Sequence, residues 1–364
     1  MAEPTTVSDM LAEPPLAPAT RAGRLGRGLR LALLAAAALA MFHVFSSVDL
    51  GRARVLLARV GWPLALVPLP AALALSIDAL GLGRILRLVG HRAAATELVG
   101  LRMSAEAVAL AIPGGSVAAE AVKLSLLTRR TGAPPPVAAG ALAIAKATVV
   151  RAESVYLAGA AALVVLGVVR GGRPQSLRLA LAAGGAAGVT ALASAVALAL
   201  LRNAHVVTRL GRWLTALPSA RLRRAIESHR QALEATDQTT ARFFAAPLHA
   251  RALCLLPYVG EWLVEGLETL LILRCLSVPI GLGEALAFDG AGSFLRALAF
   301  FVPAGLGVQD AGQLFLLGVL GVPDPTVTGG AFIFIKRTKE VFWIALGASL
   351  LAARKKSWAR KRTR

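Results

Sequence analysis

FVPAGLGVQDAGQ, running from Phe301 to Gln313, interrupts an apolar stretch that otherwise extends from Leu282 to Gly347. Proline lacks the N–H that a helix interior needs and glycine favours non-helical backbone, so no helix runs smoothly through Pro303-Ala304-Gly305-Leu306-Gly307. A helix carrying Asp310 is expected to resume after the break. A second apolar segment follows, with Lys336, Arg337, Lys339 and Glu340 set inside it. In hydrocarbon such a break leaves backbone groups unpaired and is tolerated only where protein or a wet cavity covers it. Broken helices of this kind mark binding sites in transporters.

The same design occurs once earlier. Ile112-Pro113-Gly114-Gly115-Ser116 interrupts another apolar run, Glu120 follows, and a long apolar segment then carries Lys146, Arg151 and Glu153. Pro113, Gly115, Glu120 and Ala121 match Pro303, Gly305, Asp310 and Ala311 at one constant offset of 190 residues. Self-similarity at a fixed period is the signature of a repeated unit, so the sequence predicts two copies, at about residues 97–169 and 284–353.

Composition assigns the protein to a membrane. Hydrophobic residues make up 56% of the chain and mean hydropathy is +0.67, and several stretches approach the ~20 apolar residues that a spanning helix needs. A net charge of +20 would suggest nucleic acid in a soluble protein. Here the basic residues lie between apolar segments, where retention on the cytoplasmic side explains them, and no nucleic-acid partner is expected. Cys254 and Cys275 form no disulfide framework, and the five histidines show no metal-ligand spacing. No nucleophile with an adjacent base and no phosphate-binding loop is present, so no cofactor and no catalytic residue is predicted.

The expected fold is an all-α polytopic membrane protein with about six full transmembrane helices and two re-entrant broken-helix units. Residues 1–20 read as a disordered tail, 21–353 as the transmembrane domain and 354–364 as a basic tail. Spans are expected near Leu31–Ser47, Trp62–Gly83, Val137–Val169, Leu179–Leu201, Leu253–Leu273 and Val327–Ala353. Pro63, Pro68 and Pro70 suggest a kink in the second, and Val137–Val169 is long enough to be steeply tilted or broken near Arg151. Arg102 and Arg129-Arg130 flank the first re-entrant unit on the inner side. The polar stretch at about residues 202–250, with Leu210, Trp213, Leu214 and Leu217 at helical spacing among arginines, reads either as amphipathic helices on anionic lipid or as a solvated loop. Charge asymmetry puts both termini in the cytoplasm and opens the two units on opposite faces, an inverted repeat.

Ionisable groups at membrane depth are costly and usually functional. Half-helices starting after Gly115 and Gly305 would aim free N–H groups inward and favour an anion such as a phosphate headgroup. Glu120 and Asp310 complicate this by supplying negative charge, and can pair with Lys123, Arg151 or Arg337. Glu261, Glu265 and Glu268 share one helix face, with Arg151, Arg296, Lys336 and Arg337 as their expected basic partners. Together with Glu153 they form either a proton- or cation-coupled pathway or a static ion network, and a near balance of internal acids and bases favours the static one. The predicted translocation site comprises Pro113, Gly114, Gly115, Glu120, Arg151, Pro303, Gly305, Gly307, Asp310, Lys336 and Arg337.

The phrases IPGGSVAAEAVKLSLLTRR (112–130), FVPAGLGVQDAGQLFLLGVLGVP (301–323) and FIKRTKEVFWIALG (334–347) resemble the flippase-like transmembrane region of lysylphosphatidylglycerol synthases. FVPAGLGVQDAG and IKRTKE are most similar to the subgroup of membrane proteins associated with hopanoid biosynthesis. The resemblance implies a bacterial inner-membrane protein that moves a lipid or polyprenyl-linked intermediate between leaflets. Its alternative is an accessory subunit, or a membrane enzyme, in hopanoid or aminoacyl-lipid synthesis, with a lipid-synthesising enzyme as partner. Ala304 and Asp310 stand where the family's motif has glycine and glutamate. The family's soluble aminoacyl-transferring domain has no counterpart here, so lysyl transfer is not expected.

Overall fold

A computed structural model describes residues 66–112, 114–203, 205–215, 220–299 and 307–362, together with the isolated positions 55, 58, 61 and 302. The expected first span at Leu31–Ser47, the N-terminal tail, Pro63 and Leu217 lie outside the described residues, as do Pro113, Pro303, Ala304 and Gly305. The described chain is α-helical. In order come α1 (Pro68–Leu88), α2 (Ala95–Ala111), α3 (Gly115–Thr131), α4 (Pro135–Val169), α5 (Ser176–Arg202), α6 (Val206–Thr215), α7 (Ala220–Ser228), α8 (Arg230–Ala245), α9 (Leu248–Leu253), α10 (Leu255–Cys275), α11 (Leu282–Leu298), α12 (Val308–Val319) and α13 (Pro325–Arg362).

Helices α1, α4 and α5 are long and apolar enough to cross a membrane. Helices α10 and α13 are also long enough, but carry the charges discussed below. The chain bends by 104° between α8 and the run from α9 into α10. Pro68 and Pro70 open α1 without kinking it, because the first turn of a helix has no use for the N–H that proline lacks. Helix α4 is one unbroken element of 35 residues, about 52 Å long at 1.5 Å per residue. Arg151 does not interrupt it.

The two predicted units each form a helical hairpin followed by a long helix. In the first, α2 packs on α3 and α4 follows; in the second, α11 packs on α12 and α13 follows. The units then exchange contacts, α2 lying against α13 and α11 against α4. Both crossings are close. A Cβ on Gly347 would meet the Met103 carbonyl oxygen at 2.6 Å, and one on Gly290 would meet Leu157 at 2.5 Å. Helix α10 packs between α1, α4 and α11, and Tyr156 of α4 fastens it from the side: its ring stacks on Trp262 and its hydroxyl donates to the Leu286 carbonyl at 3.0 Å.

Residues 206–253 form the amphipathic segment. Helix α6 exposes Leu210 and Trp213 beside Arg209 and Arg212. It is tied to α8 by Asp237, whose carboxylate accepts from the Val207 and Thr208 N–H groups at 2.9 and 3.0 Å.

Candidate functional site

The second unit's charged groups converge from three helices. Gly307 adopts φ +78°, a conformation open to glycine, and places its N–H 2.8 Å from Asp310 Oδ2. Asp310, almost fully buried, therefore caps its own helix. Its negative charge thus sits at the start of α12, as the sequence suggested, and satisfies the Gly307 N–H. The other oxygen, Oδ1, accepts from Arg337 Nη2 at 2.7 Å, and Arg337 Nη1 donates to Glu340 at 2.5 Å.

One turn away, Glu268 is 2% exposed and its Oε1 meets Lys339 Nζ at 2.7 Å and Lys336 Nζ at 3.1 Å. Lys336 also lies 3.5 Å from Asp289, which accepts from the Thr269 hydroxyl at 2.6 Å. Three helices are thereby cross-linked: α13 supplies the two lysines, α10 and α11 the carboxylates, and Thr269 joins α10 to α11.

Arg102 of α2 organises the first unit's charges. Its guanidinium reaches three carboxylates through three different nitrogens: Nε to Asp78, Nη1 to Glu106 at 2.5 Å and Nη2 to Glu261 at 3.6 Å. Arg102, read from the sequence as an inner flank of the hairpin, has its charge matched by acids of α1, α2 and α10. Nearby, Glu120 pairs with Lys123 at 3.0 Å. Gly115 follows the break because a Cβ there would sit 2.4 Å from the Ala109 carbonyl oxygen.

Each cluster borders a cavity. One, of about 60 Å³, is lined by Glu106, Glu265, Asp289, Arg296, Gln309, Asp310 and the charged face of α13. The other, of about 90 Å³, is lined by Asp78, Arg102, Glu120, Lys123, Lys146 and Glu261. Glu261 and Glu265 lie one turn apart on α10, and Arg102 spans from the second cavity to Glu106 in the first. These volumes hold a few waters.

Asp310, Lys336, Arg337 and Glu265 line the first cavity, with Gly307 and Glu268 bonded to residues of that lining, and Glu120 and Glu261 line the second. Arg151 is brought to neither: it is exposed on α4, off the buried stripe through Ala145, Thr148, Ala152 and Tyr156. Glu153 is buried on α4, where the charges acting on it are Arg296, Lys146 and Glu265. Gly114, in the left-handed conformation at φ +64°, and Gly115 shape the break rather than line a cavity. Pro113, Pro303 and Gly305 are outside the described residues. Sequence reasoning missed Asp78, Glu106 and Asp289 altogether, although Arg102 and Glu106 stand at i,i+4 within an apolar run, the spacing of a helical ion pair. The acids and bases do not balance either. The charged residues lining the first cavity, with the ion pairs that extend from them, comprise eight carboxylates and five cations.

Comparison with known proteins gives one positive result. The family model described as the lysylphosphatidylglycerol synthase TM region matches residues 29–339. Searches against curated proteins and against solved structures find no match. A match over this much of the chain, on a helical membrane fold with the two broken units inside it, establishes that the protein belongs to the lysylphosphatidylglycerol synthase transmembrane-region family.

Proposed function

We propose that the protein is a lipid translocator of the bacterial inner membrane, with the two broken units forming one pathway between leaflets. The observation that carries this reading is the pair of polar cavities bordered by Glu265 and Glu261, one turn apart on α10, inside an otherwise apolar helical assembly. Charge at that depth is costly unless something polar must pass. A lipid headgroup is the polar cargo such a bundle meets while its tails stay in hydrocarbon.

The repeat supports alternating exposure of the two cavities. Beyond the breaks, the offset of 190 residues also pairs Val137, Gly140, Ala141, Lys146 and Thr148 with Val327, Gly330, Ala331, Lys336 and Thr338, and α4 and α13 both begin on the paired prolines 135 and 325. The reciprocal packing of α2 on α13 and α11 on α4 is what two copies of one unit would produce. Positive-inside charge favours cytoplasmic termini and opposed openings of the units. Leu210 and Trp213, flanked by Arg209 and Arg212, suit the surface of an anionic leaflet. The hopanoid-associated subgroup, and with it a hopanoid-related cargo, rests on the phrases at 301–312 and 335–340.

The reading is tested in a deletion strain by comparing total lipid with lipid accessible to outer-leaflet amine and phosphate labels. Translocation predicts one lipid whose total is unchanged but whose outer-leaflet share collapses. A fall in its total with accumulation of a precursor would instead favour a membrane enzyme or a synthase partner.

A further inference from the structure

The charged core, of which Asp78, Glu261, Glu268 and Asp310 are buried and Glu106, Glu265, Asp289 and Glu340 partly buried, is too acidic to be a closed ion network. Eight carboxylates face five cations there, in a chain whose net charge is +20. Adding Glu120, Lys123, Lys146 and the buried Glu153 leaves the excess at three. Uncompensated charge inside a membrane is not sustained; it is neutralised by a proton or a bound cation.

Glu265 is where the excess is least relieved. It lines the first cavity, and among the described residues it has no hydrogen bond and no cation within 4 Å, whereas Glu268 one turn below holds two lysines. Its neighbours are charged on every side. Helix α2 contributes Glu106, which lines the same cavity and is engaged with Arg102, itself held by Asp78 of α1. Helix α4 brings Glu153 and the Tyr156 hydroxyl. Helix α11 brings Asp289 and Arg296, the latter donating to the Ser293 hydroxyl at 3.4 Å with no carboxylate within 4 Å among the described residues. Asp310 of α12 is committed to Arg337, as Glu340 of α13 also is, and Lys336 and Lys339 are committed to Glu268. Glu261 on its own helix is held by Arg102. Helix α9 carries His249 and Arg251 about 20 Å away along the axis.

The same cavity has further polar groups in its lining. Gln309, 9% exposed, and Trp343, 4% exposed, line it, and their Oε1 and Nε1 atoms have no hydrogen-bond partner among the described residues; Asp289 Oδ2 is likewise unpaired. The cavity of about 60 Å³ that these residues line holds a few water molecules, the medium through which a carboxyl exchanges its proton.

We propose that Glu265 is a proton-loading site reached through this cavity, and that proton movement through it drives the protein's transport step. The proton site stands on its own; the coupling rests on the lipid-translocation reading above.

The proton site is tested without any lipid cargo. Purified protein in nanodiscs is titrated from about pH 5 to about pH 9 while the protonated-carboxyl stretch is followed by infrared difference spectroscopy. The wild type is expected to keep a protonated carboxyl at neutral pH, and Glu265→Gln to lose that band. No such band in the wild type, or a band that Glu265→Gln leaves unchanged, overturns the site. If Glu265→Gln does not fold, Arg296→Gln serves in its place: removing this cation should carry the band to higher pH, and an unmoved band is contrary. Coupling is read in vesicles of total bacterial polar lipid, with amine labelling of each leaflet and an imposed gradient of about one pH unit. One coupled proton shifts the leaflet ratio by up to about tenfold, and Glu265→Gln abolishes the shift. Relocation indifferent to the gradient overturns the coupling. Absence of relocation with the infrared band intact overturns the translocation reading, and the coupling with it.

Discussion

Replacing Arg102 with alanine is expected to destabilise the protein by about 3–5 kcal/mol, the range for removing one partner of a buried ion pair, and to have the largest effect of any single substitution in the core. Most buried cations answer one or two carboxylates; Arg102 answers Asp78, Glu106 and Glu261 through separate nitrogens. Its loss leaves all three in a region that already holds an excess of acid. It also releases α1, α2 and α10 from one another, since each supplies one of the three carboxylates. Arg102→Lys keeps the charge but not the fork, because a single ammonium cannot reach three acids in three directions. An intermediate loss is therefore expected. Thermal unfolding of the purified protein, followed by fluorescence-detected size exclusion, should rank the wild type above Arg102→Lys and Arg102→Lys above Arg102→Ala. Equal stability of all three would show that the cluster does not hold the helices.

Removing Glu268 has the opposite electrostatic sense and a comparable expected size, about 3–5 kcal/mol. Its carboxylate is 2% exposed and shared by Lys336 and Lys339. In Glu268→Ala, Lys336 retains only Asp289 at 3.5 Å, and Lys339 retains no carboxylate within 4 Å among the described residues. The double substitution Glu268→Gln with Lys339→Met removes one charge of each sign and should recover most of the loss. A buried pair replaced by neutral groups is often tolerated, while a broken one is not. The same unfolding measurement gives the coupling through a double-mutant cycle. Additive losses would contradict the ion pair.

Much of this arrangement was legible in the sequence. The proline-glycine breaks announce themselves because no helix tolerates them, and the acid one turn after each break has a basic partner at short range, so Glu120 with Lys123 and Asp310 with Arg337 could be anticipated. The three glutamates of α10 share a face by helical spacing alone. What stayed hidden depends on how helices meet. That Arg102 has three acids opposite it was hidden, because positive-inside reasoning counts arginines without asking what lies opposite them. The acid opposite, Asp78, sits alone in an apolar helix and has no local signal. Arg151 looked suitable because it lies deep in an apolar segment, but depth does not fix the face, and the buried stripe of α4 passes beside it. The presumed balance of charge failed for the same reason: Asp78, Glu106 and Asp289 join the core only once α1, α2 and α11 are packed. The negative charge of Asp310 at the start of α12 was likewise readable, but not that it accepts from the Gly307 N–H.

The central claim is that the charged core where the two units meet moves lipid. It is tested most directly by reconstituting the purified protein into vesicles of total bacterial polar lipid and timing the passage of lipid between leaflets with a membrane-impermeant amine label. The wild type and Arg151→Ala, whose side chain lies outside the core, should move lipid at the same rate. Arg337→Ala, which strips the cation from Asp310 and Glu340, should fall to the protein-free rate while remaining folded by size exclusion. Wild-type protein that moves no lipid faster than empty vesicles, or folded Arg337→Ala that moves it as fast as the wild type, would contradict the account.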